Sequence, residues 1–190
     1  QDGAAFSLER GVVTNNTDAN LYCGGVLPTE FSEMTLKNVF ISDAQDPAHG
    51  TYGGRGVSVG NGASATLENT IISKSAGDHL VAQGSGTSIT ASGLVIWGEG
   101  SDEPSVQTDR GISLYLGATG TLNQVAIYRV QEFGMFIDDE GTSVEASDLL
   151  IQEVQTVPGI GYGRALHLRG GASLSLDGGA FIGNHDMGLM

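Results

Sequence analysis

Gly62-Ala63-Ser64-Ala65-Thr66-Leu67, Gly86-Thr87-Ser88-Ile89-Thr90-Ala91, Gly117-Ala118-Thr119-Gly120-Thr121-Leu122, Gly141-Thr142-Ser143-Val144-Glu145-Ala146 and Gly171-Ala172-Ser173-Leu174-Ser175-Leu176 are five versions of one phrase. Each opens on glycine and a small residue, then alternates polar with apolar positions. Successive glycines are 24, 31, 24 and 30 residues apart. Self-similarity at this period marks a solenoid, because one short unit cannot bury its apolar face until neighbours stack on it.

A strand precedes the phrase: Gly56-Val57-Ser58-Val59, Gly111-Ile112-Ser113-Leu114 or Ala165-Leu166-His167-Leu168. Its alternation turns Val57, Val59, Ile112, Leu114, Leu166 and Leu168 inward and Ser58, Ser113 and His167 outward. The same projection places Ala82 and Ile137 outward, with Gly60, Gly84, Tyr115, Asp139 and Arg169 at the strand ends. Two-residue corners follow the phrase: Lys37-Asn38, Glu68-Asn69, Asn123-Gln124, Ser147-Asp148 and Asp177-Gly178. A third strand comes next: Val39-Phe40-Ile41, Thr70-Ile71-Ile72, Leu94-Val95-Ile96, Val125-Ala126-Ile127 or Leu149-Leu150-Ile151.

In this phase Leu8, Leu36, Leu67, Ala91, Leu122, Ala146 and Leu176 mark about seven turns. Val13, Ile41, Ile72, Ile96, Ile127, Ile151 and Phe181 form one inward column. Parallel strands stacked about 4.8 Å apart account for such uniformity. The expected fold is therefore all-β: a right-handed parallel β-helix of about seven three-stranded coils, forming one domain over residues 1–190. Neither end reads as a cap, so the chain is expected to be a segment of a longer solenoid, or to meet further coils or other copies at its ends.

Loop length adds a second period. Arg55, Arg110 and Arg164 precede the first strand of alternate coils, each after a long loop. These loops contain Asp43, Asp46, His49 and Tyr52, then Glu99, Asp102, Glu103 and Asp109, then Glu153, Pro158 and Tyr162. Insertions on one side of a solenoid commonly build its functional face. Arg55, Arg110, Arg164, Tyr52, Asp102, Glu103 and Tyr162 are accordingly the binding candidates. The competing reading covers an apolar outer column, Val12, Phe40, Ile71, Val95, Ala126, Leu150 and Ala180, with the loops or with a partner chain, and pairs the arginines with nearby loop carboxylates or carbonyls.

Composition excludes several classes of function. The formal net charge is −14, with only 8 Lys and Arg, and nucleic acid or an anionic membrane surface demands the opposite sign. No apolar run reaches the roughly 18 residues of a membrane span. Cys23 is the only cysteine, so no internal disulfide forms, and it reads as a small buried residue. The four histidines fall at different strand phases, which gives no metal site. Asn15-Asn16-Thr17 matches a glycosylation sequon at the level of chance.

The 24-residue turn, the corners with Asn38 and Asn69, and the long loop after the third strand resemble right-handed parallel β-helix proteins of the pectate-lyase-like superfamily. The resemblance covers residues 5–190 and is closest to glycine-rich repeats of large bacterial secreted or surface proteins. It implies an extracellular or cell-surface location. It implies, first, a non-catalytic scaffold, stalk or adhesin segment whose loops bind a partner protein or a glycan. A polysaccharide lyase or glycoside hydrolase is the alternative, and a lyase would need Ca²⁺; no other cofactor is expected. Projected onto the face such enzymes use, the sequence offers one acidic cluster, Asp138, Asp139 and Glu140, beside His167 and Arg169. The competing reading of that cluster is a solvated turn with an Asp139–Arg169 ion pair. A third possibility rests on the second strand. Its outward columns, Glu33, Ser64, Ser88, Thr119, Ser143, Ser173 and Thr35, Thr66, Thr90, Thr121, Glu145, Ser175, resemble the hydroxyl ladders of ice-binding solenoids.

Overall fold

The computed structural model describes residues 4–24, 32–45, 53–98, 109–157 and 161–186, and these contain strands but no helix. One sheet holds β1 (Ala5–Thr14), β3 (Glu33–Ala44), β5 (Ser64–Glu68), β6 (Ile71–Ser75), β8 (Ser88–Ser92), β9 (Val95–Trp97), β11 (Thr119–Tyr128), β13 (Ser143–Gln152) and β15 (Ser173–Ile182). The smaller sheet holds β2 (Ala19–Gly24), β4 (Arg55–Gly60), β7 (Leu80–Gln83), β10 (Ile112–Tyr115), β12 (Glu132–Ile137) and β14 (Gly163–Leu168). The chain visits the two sheets in turn, and within each sheet a strand pairs in parallel with the preceding and the following visitor.

The register lines up residues about two dozen positions apart. Ile41 pairs with Ile72, Ile72 with Ile96, Ile96 with Ile127, and Ile127 with Ile151. All five are fully buried. Leu36, Leu67, Ala91, Leu122 and Ala146 stack in a second buried column. Both columns join Val57, Val59, Leu80, Ala82, Ile112, Leu114, Met135 and Ile137 from the smaller sheet in one apolar cluster. Cys23 lies in the same cluster, and burial raises its thiol pKa, so it packs as a small apolar residue.

The second and third strands are one continuous strand in β1, β3, β11, β13 and β15 rather than two. The corner is a bend within the strand. Arg10, Asn38, Asn69, Gly93, Gln124, Asp148 and Gly178 each make it with φ between 48° and 77°. Asn and Gly tolerate this left-handed conformation best, which is why the corner reads as polar in the sequence. Entry to the smaller sheet is set by contact instead. A Cβ on Gly56 would lie 2.5 Å from Ile72 Cγ2 and 2.6 Å from the His79 carbonyl oxygen. A Cβ on Gly134 would strike Ile151 Cγ2 and the Ala165 carbonyl oxygen. The third-strand isoleucines fill the space where those side chains would be.

Two expectations about faces are corrected. In the smaller sheet Ser58 and Ser113 both pair with Val81, and Phe136 pairs with Ser113 and His167. Val81 and Phe136 therefore take the outward positions, while Ala82 and Ile137 lie in the core. Leu80-Val81-Ala82 and Met135-Phe136-Ile137 are apolar on both faces, so alternation could not fix their phase. The second correction concerns the outer apolar column of the larger sheet. Val12 is 68% exposed, and Phe40 and Ile71 are 41% exposed, so this part of the column lies open among the described residues. Beside it Trp97 packs against Tyr128 in a tilted arrangement, with ring centroids 5.5 Å apart.

Candidate functional site

The outer face of the smaller sheet gathers most of the paired charges. Arg55 opens β4, Arg110 lies two residues before β10 and Arg164 lies near the start of β14. Each has an acidic residue 22 or 23 positions downstream: Asp78 and Glu132, at or just before the next strand of the same sheet, and Asp186, after β15. Parallel register converts that spacing into contact. Arg110 Nε donates to Glu132 Oε2 at 2.6 Å, and Arg164 Nε donates to Asp186 Oδ2 at 2.9 Å. Three residues after each arginine comes an outward strand residue. Arg55 Nη1 donates to Ser58 Oγ at 3.3 Å, and Arg164 Nη1 lies 3.0 Å from His167 Nδ1.

Asp78 occupies the rung between Arg55 and Arg110. Burial pushes its carboxyl up to about 6; Arg110, Arg55 and the Ser113 hydroxyl pull the other way, and Glu132 adds to the rise. Next to it His79 is fully buried, with Nδ1 2.9 Å from Asp109 Oδ1 and 3.0 Å from the Arg110 carbonyl oxygen. Burial alone would lower the imidazole pKa, but the Asp109 carboxylate and the backbone carbonyls of Arg110 and Trp97 together outweigh it, and the net shift is upward.

Farther along the face the rungs are aromatic. Phe133 stacks on Phe136, with ring centroids 5.3 Å apart, and on Tyr162 at 5.7 Å. His167 lies 4.7 Å from Phe133 and 5.6 Å from Phe136. Guanidinium groups lie over these rings: Arg110 at 4.7 Å and Arg169 at 5.1 Å from Phe136, and Arg164 at 4.4 Å from Tyr162. Burial, together with Arg164 and Arg169, lowers the His167 pKa, so its imidazole is neutral at pH 7.

The acidic cluster divides. Asp138, not Asp139, meets Arg169: Nε donates to Oδ2 at 2.7 Å and Nη2 lies at 2.6 Å. That bond and the charge of Arg169 hold the Asp138 carboxyl below the usual range. Asp139 Oδ2 accepts from the Leu116 amide at 3.1 Å, and Glu140 is exposed. The one-residue phase error that misplaced Ile137 also misassigned this pair. Arg110 and Arg164 meet acids of the following pass of the chain, Glu132 in β12 and Asp186 in the loop after β15. Tyr52, Asp102 and Glu103 lie outside the described residues. Asp78, Glu132, Asp186, Phe133 and Phe136 belong to this face and were not singled out from the sequence. The recurring 22- or 23-residue interval from arginine to acid was the signal that could have found them.

Among the described residues no group of three or more His, Cys, Asp or Glu could hold a metal ion. Val81 and Ser113, at the middle of the face, are fully buried. Its more exposed members lie at the two ends: Tyr22 of β2 is 59% exposed at one, and at the other Arg169 has a side-chain exposure of 62% and Tyr162 is 38% exposed. Such a face holds adjacent turns together through charge-assisted bonds and presents Tyr162 and Arg169 at its margin. No protein-family model, curated protein or solved structure matches the chain.

Proposed function

We propose that the chain is a right-handed parallel β-helix of about seven coils, pectate-lyase-like in architecture, acting as a non-catalytic extracellular scaffold, a stalk or adhesin segment of a bacterial surface. On this reading the long loops of alternate coils meet a partner protein or a glycan, and the arginine–acid rungs fix the bases of those loops. The observation that carries the proposal is the state of Arg110 and Arg164. Each guanidinium is held by an acid of the next turn, and each also lies over an aromatic ring. Groups engaged in this way serve cohesion rather than a reacting bond.

A specific observation favours the hydrolase alternative. Asp78 and Glu132 come from the turns on either side of Arg110, and Asp78 is held at about 6, where a general acid works near neutral pH. The full burial of Ser113 between them favours the scaffold. The deciding experiment is turnover of uronic-acid and neutral polysaccharides, with and without Ca²⁺, by wild type, Asp78→Asn and Glu132→Gln. The scaffold reading expects no turnover from any of them and lower thermal stability for Glu132→Gln. Turnover by wild type that both substitutions abolish would establish an enzyme instead.

A further inference from the structure

Four apolar side chains left open on the larger sheet share one face. Val12 is 68% exposed, Phe40 and Ile71 41%, and Trp97 44%. Val12 pairs with Phe40, Phe40 with Ile71 and Ile71 with Val95, so the first three form one column across β1, β3 and β6. Trp97 stands two positions beyond Val95 on β9 and therefore on the same face. Tyr128 of β11 is its partner in register, and the two ring centroids lie 5.5 Å apart. Phe40 and Trp97 are separated by two rungs and two residues, about 12 Å.

A polar wall runs beside this column. Arg10, Asn38 and Asn69 make the corner of successive passes of the chain, with φ of 56°, 55° and 48°. Together with Val12, Phe40 and Ile71 they line an open groove of about 500 Å³. Among the described residues its lining holds no carboxylate. Asn69 Nδ2 donates to Asn38 Oδ1 at 3.4 Å, an exposed bond that leaves each amide further donor and acceptor capacity.

We propose that this face binds a linear, uncharged polysaccharide laid across β1, β3, β6, β9 and β11, with sugar rings flat on Phe40 and Trp97 and hydroxyls on the Asn38 and Asn69 amides. The chemistry of the groove selects that occupant. The C–H faces of a pyranose are apolar and match aromatic side chains, while its hydroxyls both donate and accept, as amides do. The strip is roughly 20 Å long and 10 Å wide, about a quarter of the roughly 800 Å² that each side of a stable protein interface covers. A net charge of −14 repels a polyanion and a second copy of the chain alike. The separation of about 12 Å between Phe40 and Trp97 requires an oligomer, because one sugar cannot reach both. This site shares a glycan with the scaffold reading but uses the sheet face instead of the loops, and neither idea stands on the other.

Native electrophoresis of the full chain through polysaccharide-containing gels tests this. The neutral probes are hydroxyethyl cellulose, arabinoxylan and galactomannan, and the charged one is polygalacturonate. At least one neutral gel is expected to retard wild type, and polygalacturonate is expected not to. Phe40→Ala and Trp97→Ala should each weaken binding about tenfold. Asn69→Gly should weaken it about threefold while keeping the left-handed corner, which glycine already makes at Gly93. Unchanged circular dichroism spectra would show that these losses are not unfolding. By calorimetry, a hexamer of the retarding polysaccharide should bind at least about tenfold tighter than its monomer. Retardation by no neutral gel, or by polygalacturonate more strongly than by any of them, overturns the proposal. So does binding that survives both Phe40→Ala and Trp97→Ala. If that surviving binding is lost in Tyr162→Ala, the glycan sits on the loop side, and the scaffold reading stands without this site.

Discussion

Asp78 titrates with a sign opposite to that of most carboxylates in folded proteins. Its folded pKa, about 6, lies above the ordinary 3.8. The folded state therefore holds the proton more tightly than the unfolded state between those values. The stability this contributes is complete below about pH 4 and is lost as the pH rises toward 6, up to about 3 kcal/mol. Asp138 acts in a separate window. Its pKa is lowered by Arg169, so its contribution is present above the ordinary value and lost as the pH falls through the depressed one. Asp78→Asn should flatten the stability profile between pH 4 and 6 and leave the acid limb unchanged, as measured by urea melts at each pH. Burial likewise separates the ion pairs. Arg110 and Glu132 have side-chain exposures of 23% and 8%, against 48% and 43% for Lys37 and Glu68. Arg110→Ala strands an acid and should cost about 3 kcal/mol, whereas Glu68→Gln should cost about 0.5 kcal/mol or less. Chemical denaturation of both variants checks the contrast.

At the scale of strands, adjacent residues have opposite fates. Ile41 is fully buried between Val13 and Ile72, while Phe40 points outward into solvent. Ile41→Ala should cost about 3 kcal/mol, and Phe40→Ala about 1 kcal/mol or less, despite removing the larger side chain. Equal losses in thermal or denaturant melts would show that the faces are misassigned. The entry to the smaller sheet offers a second check. Gly134→Ala would drive a methyl group into Ile151 and the Ala165 carbonyl, and a destabilisation of about 2 kcal/mol is expected from calorimetry. The sequence displayed the larger sheet almost completely, because Ser-x-Thr alternation and the isoleucine column leave one phase open. It misled in β7 and β12, where three consecutive apolar residues satisfy either phase. The outward hydroxyls do stack, Thr66 on Thr90 and Thr90 on Thr121, although Glu145 breaks the ladder one rung on.

Across the whole molecule, the smaller sheet's outer face was the part least legible in advance. Arg55, Arg110 and Arg164 stood out by their period, but Asp78, Glu132 and Asp186 could be recognised as partners only once the rise of one turn was known. Pairing shows Phe136 facing outward against His167. The stripe of Val12, Phe40 and Ile71, expected under loops or under a partner chain, is open among the described residues. All these assignments depend on successive passes of the chain lying one above another in parallel. Methyl–methyl nuclear Overhauser effects, in protein labelled only at isoleucine methyls, measure that directly. Ile72–Ile96, Ile96–Ile127 and Ile127–Ile151 should give strong cross-peaks, and Ile72–Ile151, three rungs apart, should give none. A spectrum without the first three, or with Ile72–Ile151 as intense as they are, would contradict the stacked architecture.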